Sequence, residues 1–494
     1  MRDLGSVDLV VVGGGINGAG IARDAAGRGL SVVLCEKGDL AEGTSSRSGK
    51  LIHGGLRYLE YYEFRLVREA LIEREVLLRA APHIVWPMRF VLPHSPEQRP
   101  AWLLRMGLFF YDHLGGRHKL PGCRRIDLAG DPEGIPIKDE FKLAFEYSDC
   151  WVDDARLVVL NALDAKEHGA HILTRTAANS ASRVDNKWYV ELKDDGGAVS
   201  FVRAKALVNA AGPWVEDVSR RVAGTNGARR VRLVKGSHIV LPKFWDGPQA
   251  YLFQNHDKRV IFMNPYEGDL CLIGTTDIPY EGRAEDVAID DPEIEYLLGA
   301  VNRYTKQQLT RAGIRHTFAG VRPLYDDNAA NPSAVTRDYV FDVMGEPPLL
   351  SVFGGKITTY RKLAEHALQK LKPFFPAMHG DWTAHAALPG GDFVDADFVE
   401  FLRKLRQEFS WLPDEVSHHY ARLYGSRTEA IINGAKGLSG LGQHFGGTLY
   451  ESEIAYLRSN EWARTASDIL DRRTKHGLHL SVAQRETVTN YTGA

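Results

Sequence analysis

The chain has 494 residues, 44% of them hydrophobic and 25% charged, a soluble globular profile with length for two or three domains. Basic and acidic residues balance to a net charge of −2, so no global basic field points to nucleic acid. The four cysteines, Cys35, Cys123, Cys150 and Cys271, are scattered, with no C-x-x-C pair and no histidine at metal-ligand spacing; buried thiols of a reducing compartment are expected, and no metal site.

Val7 to Val12 is an unbroken run of valine, leucine and one aspartate, expected as a strand buried on both faces. It is too short for a signal peptide, and no stretch reaches the roughly 20 apolar residues that cross a bilayer. Gly13, Gly15 and Gly18 follow in G-x-G-x-x-G spacing, then a helix is expected over Ala19–Gly29 and a second buried strand over Ser31–Glu36. The order strand, glycines, helix, strand, acid is that of a dinucleotide site. The glycines serve the tight turn, the close approach to pyrophosphate and helix–strand packing, and the acid suits a ribose hydroxyl. Glu36 disfavours NADP; FAD and NAD both stay open.

Thr44, Ser45 and Ser46 come directly after this unit, in "TSSRS". "IHGGLRY" at 52–58 sets Gly54 and Gly55 between His53 and Arg57, with Tyr58 next. This suits either a surface loop or a backbone lying against a flat ligand, flanked by acid–base and anion-binding side chains. Glu63 to Ala81 reads as a helix halted by Pro82. Ala101 to Arg125 mixes aromatic and apolar residues with five cations, Arg105, Arg117, Lys119, Arg124 and Arg125, against Asp112; such a segment suits a lipid interface or a core helix followed by a loop.

Further on, "KALVNAAGPWVEDV" at 205–218 is another apolar strand running into Gly212. His238, in "KGSHIV", stands before an alternating run expected as an antiparallel strand. Arg322 precedes Pro323, which predicts a rigid loop; the alternative to a ligand contact is a surface salt bridge to Asp326 or Asp327. "LLSVFGGKITTYRKLAEHA" reads as strand, Gly354 and Gly355, then an amphipathic helix with Lys356 in its first turn. There a cation opposes the helix dipole, which speaks for a ligand. "LPGGDF" from 388 looks like a linker, and the remainder has helical periodicity with a charged helix of Arg464, Asp468, Arg472 and Arg473 expected as an interdomain or solvated face.

Together "GGGINGAGIARDAAGRGL", "TSSRSGKLIHGGLRYLE", "NAAGPWV", "VKGSHIV", "IGTTD", "GVRPL" and "VFGGKITTYRKLAEHAL" resemble the flavoprotein oxidoreductases of the D-amino-acid oxidase type. More closely, they resemble the aerobic, quinone-linked glycerol-3-phosphate dehydrogenases, and the likeness runs through "EWARTASDILDRRTK" over nearly the whole chain. The resemblance implies noncovalent FAD and oxidation of sn-glycerol 3-phosphate to dihydroxyacetone phosphate. Electrons would pass to a membrane quinone, from a cytoplasmic protein held peripherally on the membrane, with homodimerisation open.

It also implies an α/β fold: a Rossmann-like FAD-binding domain interleaved with an antiparallel-sheet substrate domain over 1–387, then an all-helical domain over 388–494. FAD segments are expected at about 1–60, 150–215 and 345–387, and substrate segments at about 61–149 and 216–344. In this reading Gly13, Gly15, Gly18, Glu36, Thr44, Ser45, Ser46, His53, Gly54, Gly55, Gly212, Gly354, Gly355 and Lys356 hold the cofactor. Arg57, Tyr58, His238, Arg322 and Lys356 meet the substrate, and His53, His238 and Arg322 carry the acid–base chemistry. The alternatives are an oxygen-using glycerol-3-phosphate oxidase, disfavoured because no inserted segment precedes the C-terminal part, a related flavoenzyme with another anionic substrate, and an NAD-binding protein without flavin chemistry.

Overall fold

The structure is a computed structural model that describes residues 2–95, 97–116, 120–225, 229–257, 259–326 and 338–493, without the side chains of Arg57, Glu60 and Tyr61. Two sheets divide the first 360 residues or so between them. The opening strand runs Arg2–Val12, longer than its apolar run, because its first residues continue the pairing with Val199–Asn209. Val32–Cys35 flanks its other side, so both neighbours are parallel and the run from Leu9 to Val11 has no wet face.

The first sheet has the order Val340–Met344, Leu349–Phe353, Val199–Asn209, Arg2–Val12, Val32–Cys35, His171–Leu173. Its inner pairings are parallel, and Val340–Met344 closes one edge antiparallel. Thr176–Val184 and Lys187–Asp194 continue from Val199–Asn209 as an antiparallel ribbon. The helices Ile16–Gly27, Asp154–Glu167 and Tyr360–Leu371 pack together on one face. The chain leaves Arg2–Val12 toward one neighbour and returns from the other side, which makes the carboxyl end of this strand a switch point where ligands bind in such sheets.

The second sheet has ten strands. Val231–Pro242 lies between His316–Tyr325 on one side and Leu270–Gly274 and Ile278–Pro279 on the other. Val260–Tyr266, Ala250–Gln254, Val85–His94, Leu143–Val152 and Leu51–Ile52 follow, with Arg124–Asp127 also on Leu143–Val152. All pairings are antiparallel but that of Ala250–Gln254 with Val85–His94. Two pieces fall on the other sheet from the one expected. Leu51–Ile52 has already crossed to the second, pairing with Cys150 and Trp151. Val340–Met344 stays on the first because it is hairpinned to Leu349–Phe353.

The expected helix at 63–81 is Phe64–Ala80, and its buried charges are paired: Glu73 with Arg361, and Arg74 with Asp149. The last hundred residues form a helical unit with one two-stranded ribbon, His444–Gly446 with Leu449–Tyr450, that periodicity did not reveal. The expected linker is packed tightly. A Cβ on Gly390 would lie 2.3 Å from the Tyr424 carbonyl oxygen, and one on Gly391 2.4 Å from that of Ala80. Here the glycines serve close backbone approach, and the helical unit is docked instead of tethered.

Candidate active site

Three glycine turns meet at the carboxyl end of Arg2–Val12. In the first, a Cβ on Gly18 would lie 1.9 Å from the Gly13 carbonyl oxygen, and one on Gly13, at φ 113°, 2.6 Å from that of Ala210. Both positions therefore require glycine. Gly15 caps the helix Ile16–Gly27. Glu36 closes the turn from the next strand: its Oε2 accepts from Gly14 N–H at 2.6 Å and its Oε1 from Gly38 N–H at 2.8 Å. Ser45 Oγ accepts from Ile16 N–H at 3.0 Å, and Thr44 Oγ1 donates to the Val321 carbonyl at 2.7 Å, clasping the second sheet to the first.

The second turn is His53–Gly54–Gly55. A Cβ on Gly54 would sit 2.6 Å from Leu71 Cδ2 and 2.7 Å from Tyr111 Oη. Its lack of a side chain thus serves packing behind the turn, where the sequence reading had placed the reason on the ligand side. Gly54 N–H donates to Tyr111 Oη at 2.8 Å, Tyr111 donates to Asp149 Oδ2 at 2.7 Å, and Arg74 donates to Asp149 Oδ1 at 3.0 Å. Burial pushes the Asp149 carboxyl up to about 6 despite Arg74.

The third turn, Gly354–Gly355, has φ of 79° and 103°. Asn17 Nδ2 donates to the Gly354 carbonyl at 3.1 Å, and His53 N–H to Thr358 Oγ1 at 3.3 Å, so all three turns are tied together. Lys356 is not in a helix. It is the extended residue before the short turn Ile357–Thr359, and Tyr360–Leu371 begins only after that. The dipole argument therefore does not apply to it. Its Nζ lies 3.9 Å above the Tyr58 ring.

These turns open on a cavity of about 1020 Å³ between the sheets, lined among others by Thr44, Ser45, His53, Gly55, Tyr58, His238, Arg322, Gly355 and Lys356. The second sheet supplies the far wall. His238 lies inside the strand Val231–Pro242 and not before it; it is 2% exposed and stacks on Phe318 at 4.7 Å. Burial, with Arg322 and Lys50 nearby, holds its pKa well below the usual histidine value, so the ring is neutral. Its Nδ1 has no partner among the described residues.

Arg322 is also in a strand, His316–Tyr325, where a loop was expected. Among the described residues this strand pairs only with Val231–Pro242, and an edge strand tolerates Pro323. Arg322 donates to Asp277 Oδ1 at 3.2 Å and Thr275 Oγ1 at 3.1 Å, whereas Asp326 pairs with Arg232. Asp327 and the Arg57 side chain lie outside the described residues.

Gly13, Gly15, Gly18, Glu36, Ser46, Gly54, Gly212 and Gly354 do not line the cavity. The first four form the glycine turn closed by Glu36, beside the cavity. Ser46 turns its carbonyl to Lys50 Nζ at 3.2 Å, and Gly212, at φ 57°, starts the short turn after Val199–Asn209. Two wall residues carried no sequence signal, Phe262 and Asn264, the latter buried with an Oδ1 that has no partner among the described residues; Arg47, Thr275 and Asp277 stand inside "TSSRS" and "IGTTD", motifs that assigned them no role of their own. The tight glycine turn, the acid on the next strand and an unpartnered histidine nitrogen on a roomy cavity fit a flavin dinucleotide.

Comparison with known proteins agrees. Residues 8–361 match the family "FAD dependent oxidoreductase", and 382–490 match "C-terminal domain of alpha-glycerophosphate oxidase". The chain is 65% identical over 488 residues to D-erythritol 1-phosphate dehydrogenase of Brucella abortus, covering 98% of this chain and 97% of the relative. It is 55% identical to glycerol-3-phosphate dehydrogenase of Pseudomonas aeruginosa, covering 98% and 94%. The solved glycerol-3-phosphate dehydrogenase of Bacillus halodurans, complexed with FAD, superposes with a TM-score of 0.76 at 26% identity, covering 99% and 94%. A dinucleotide turn, a cavity at the switch point and relatives alike from end to end lead to one conclusion: the chain belongs to the FAD-dependent oxidoreductases, in the glycerol-3-phosphate dehydrogenase family.

Proposed function

We propose that the chain oxidises the secondary alcohol of a small polyol phosphate, sn-glycerol 3-phosphate going to dihydroxyacetone phosphate. One observation carries this: a buried neutral histidine with an unpartnered nitrogen shares a cavity with His53, Arg322 and Lys356. Bound FAD supplies the acceptor for the hydride leaving the alcohol carbon. The alcohol proton leaves to a neutral imidazole, and His238 and His53 are the two candidates. Arg322, Lys356, Arg57 and Tyr58 hold the phosphate dianion; three cations suit a dianion better than a single carboxylate. Gly13, Gly15, Gly18, Glu36, Thr44, Ser45, Ser46 and Gly212 would hold the dinucleotide, and Gly55 and Gly355, with Gly54 and Gly354 beside them, would hold its ring.

A second substrate, D-erythritol 1-phosphate, is favoured by the 65% identity to the Brucella dehydrogenase of that name. Asn264 offers a buried carbonyl oxygen on the cavity wall to the hydroxyl that a four-carbon polyol adds.

Electrons pass to a membrane quinone, and the protein rests on the cytoplasmic face of the membrane. The helix Ala101–Leu114 supports this: Trp102 and Phe109 are 68% and 56% exposed, and Leu103, Leu104 and Phe110 are among the residues that line the cavity. Among the described residues no helix is long and apolar enough to cross a membrane. Arg117 and Lys119, counted with this segment, lie outside the described residues.

The test is the absorbance spectrum of the purified protein during anaerobic addition of each phosphate. Bleaching of the oxidised flavin bands by sn-glycerol 3-phosphate supports the first reading, and faster bleaching by D-erythritol 1-phosphate the second. Bands that persist with both refute the substrate class.

A further inference from the structure

No residue beyond Thr358 lines the cavity among those described, yet the C-terminal helical unit grips the segment that does. Asp39, 1% exposed, follows the Glu36 turn. Its carboxylate accepts from Arg472 Nε at 2.7 Å and from Arg473 Nη1 and Nη2 at 2.7 and 2.8 Å. Beside it, Arg175 N–H donates to the Gly38 carbonyl at 2.8 Å while the Arg175 guanidinium reaches across to Asp468 at 2.6 Å. Asp468 is held in turn by the N–H groups of Arg464 and Thr465, at 2.7 and 2.9 Å.

The far end of the segment is held in the same way. Lys475 Nζ lies 3.2 Å from Asp153 Oδ1. The adjacent Asp154 accepts from Ser48 Oγ at 2.7 Å and from Lys50 Nζ at 2.7 Å. Between these anchors run Thr44, Ser45, Arg47, Ser48 and Gly49, all on the cavity wall. Just before them, Gly38 N–H fixes the Glu36 carboxylate.

Docking alone does not call for this arrangement, since well-packed apolar residues would join two domains at lower desolvation cost. Bidentate guanidinium–carboxylate pairs hold direction as well as distance. We infer that Arg472, Arg473 and Lys475 are positioning residues for FAD: the C-terminal unit sets the affinity for the cofactor by holding segment 38–50 in its binding shape. The inference rests on the reading that this segment and Glu36 hold the dinucleotide.

The test measures FAD dissociation constants of the full-length protein after the flavin is stripped, with hydrogen exchange over 38–50. Arg473→Met is expected to raise the constant about tenfold or more, and Arg472→Gln in the same direction by less. Amides of 38–50 are expected to exchange faster in both apo variants and to recover protection when FAD is added. Arg422→Met is the control. Arg422 is a C-terminal cation packed on Trp86 and Phe398, away from this segment, and its loss is expected to leave the constant within about twofold. Equal weakening by Arg422→Met and Arg473→Met, or weakening by neither Arg473→Met nor Arg472→Gln, overturns the inference. If Arg473→Met does not fold, Arg472→Gln and Asp39→Asn decide, each expected to weaken FAD binding. Glu36→Ala separates the two claims. If it leaves affinity unchanged, the dinucleotide reading fails; if it weakens binding while the arginine variants do not, only the inference fails.

Discussion

A Cβ on Gly274 would lie 2.1 Å from Cδ2 of His238. The two residues face each other across paired strands, His238 directly opposite Gly274, so the histidine occupies space that any other residue at 274 would fill. Phe318, opposite His238 on the other neighbouring strand, closes the other side. The ring is thus fixed by steric exclusion and by stacking on Phe318. Gly274→Ala is expected to tilt it and to lower turnover per bound flavin by about a hundredfold, the effect of an ångström-scale misplacement at a reacting centre. Flavin content and turnover should be measured together. Turnover per flavin at the wild-type level would show that the position of His238 does not matter to the reaction.

The pH dependence separates the two candidate bases. Burial, Arg322 and Lys50 hold the His238 pKa well below its ordinary 6.5. If His238 takes the alcohol proton, it is already a free base at mildly acidic pH. The expected kcat/KM profile is then flat from pH 8 down to about 6, and His238→Gln lowers the plateau without adding a limb. An acid limb centred near pH 6.5 would move the role to another group.

Behind the His53 turn, Tyr111 links Gly54 N–H to Asp149. Tyr111→Phe removes that link, leaving the buried Gly54 N–H only its long 3.4 Å contact with Asp149 Oδ1 and the buried carboxylate one donor short. The expected cost is about 1–3 kcal/mol of stability. Turnover per flavin is expected to fall too, because Gly54 is peptide-bonded to His53. A loss of thermal stability with turnover untouched would make the network purely structural.

The exposed apolar face of Ala101–Leu114 gives a membrane test. Trp102→Glu combined with Phe109→Glu is expected to abolish co-flotation with phospholipid vesicles while the flavin still bleaches with soluble substrate. Undiminished flotation would send the contact surface elsewhere.

What the sequence disclosed was local. The run Val7–Val12, the three glycines and Glu36 lie within thirty residues of one another, and their spacing alone carries the turn. Arg322 and Lys356 were placed in the wrong elements for physical reasons. Pro323 signals a break, but an edge strand does not need its missing N–H. A 3₁₀ turn inserted before Tyr360 leaves Lys356 outside the helix its neighbours suggest. Pairs such as His238 with Gly274, Tyr111 with Asp149 and Arg473 with Asp39 are separated by 36, 38 and 434 positions, and only the folded topology brings them together.

His83 offers the plainest stability prediction. It is fully buried, neither ring nitrogen has a hydrogen-bond partner among the described residues, and burial with the nearby Arg156 and Arg422 pushes its pKa down to about 3. The unfolded chain binds a proton here near 6.5 and the folded protein does not. Stability is therefore complete above the unfolded value and falls as pH drops below it, by about 1.4 kcal/mol per pH unit for this residue. Buried His476 and His238 act in the same direction. His83→Leu breaks no protein hydrogen bond and removes one of these protons. Its thermal midpoint is expected to match wild type at pH 7 and to fall less steeply between pH 6.5 and 4.5. Parallel curves for the two proteins would mean that the folded protein already protonates His83, and that the site is wetter than its packing implies.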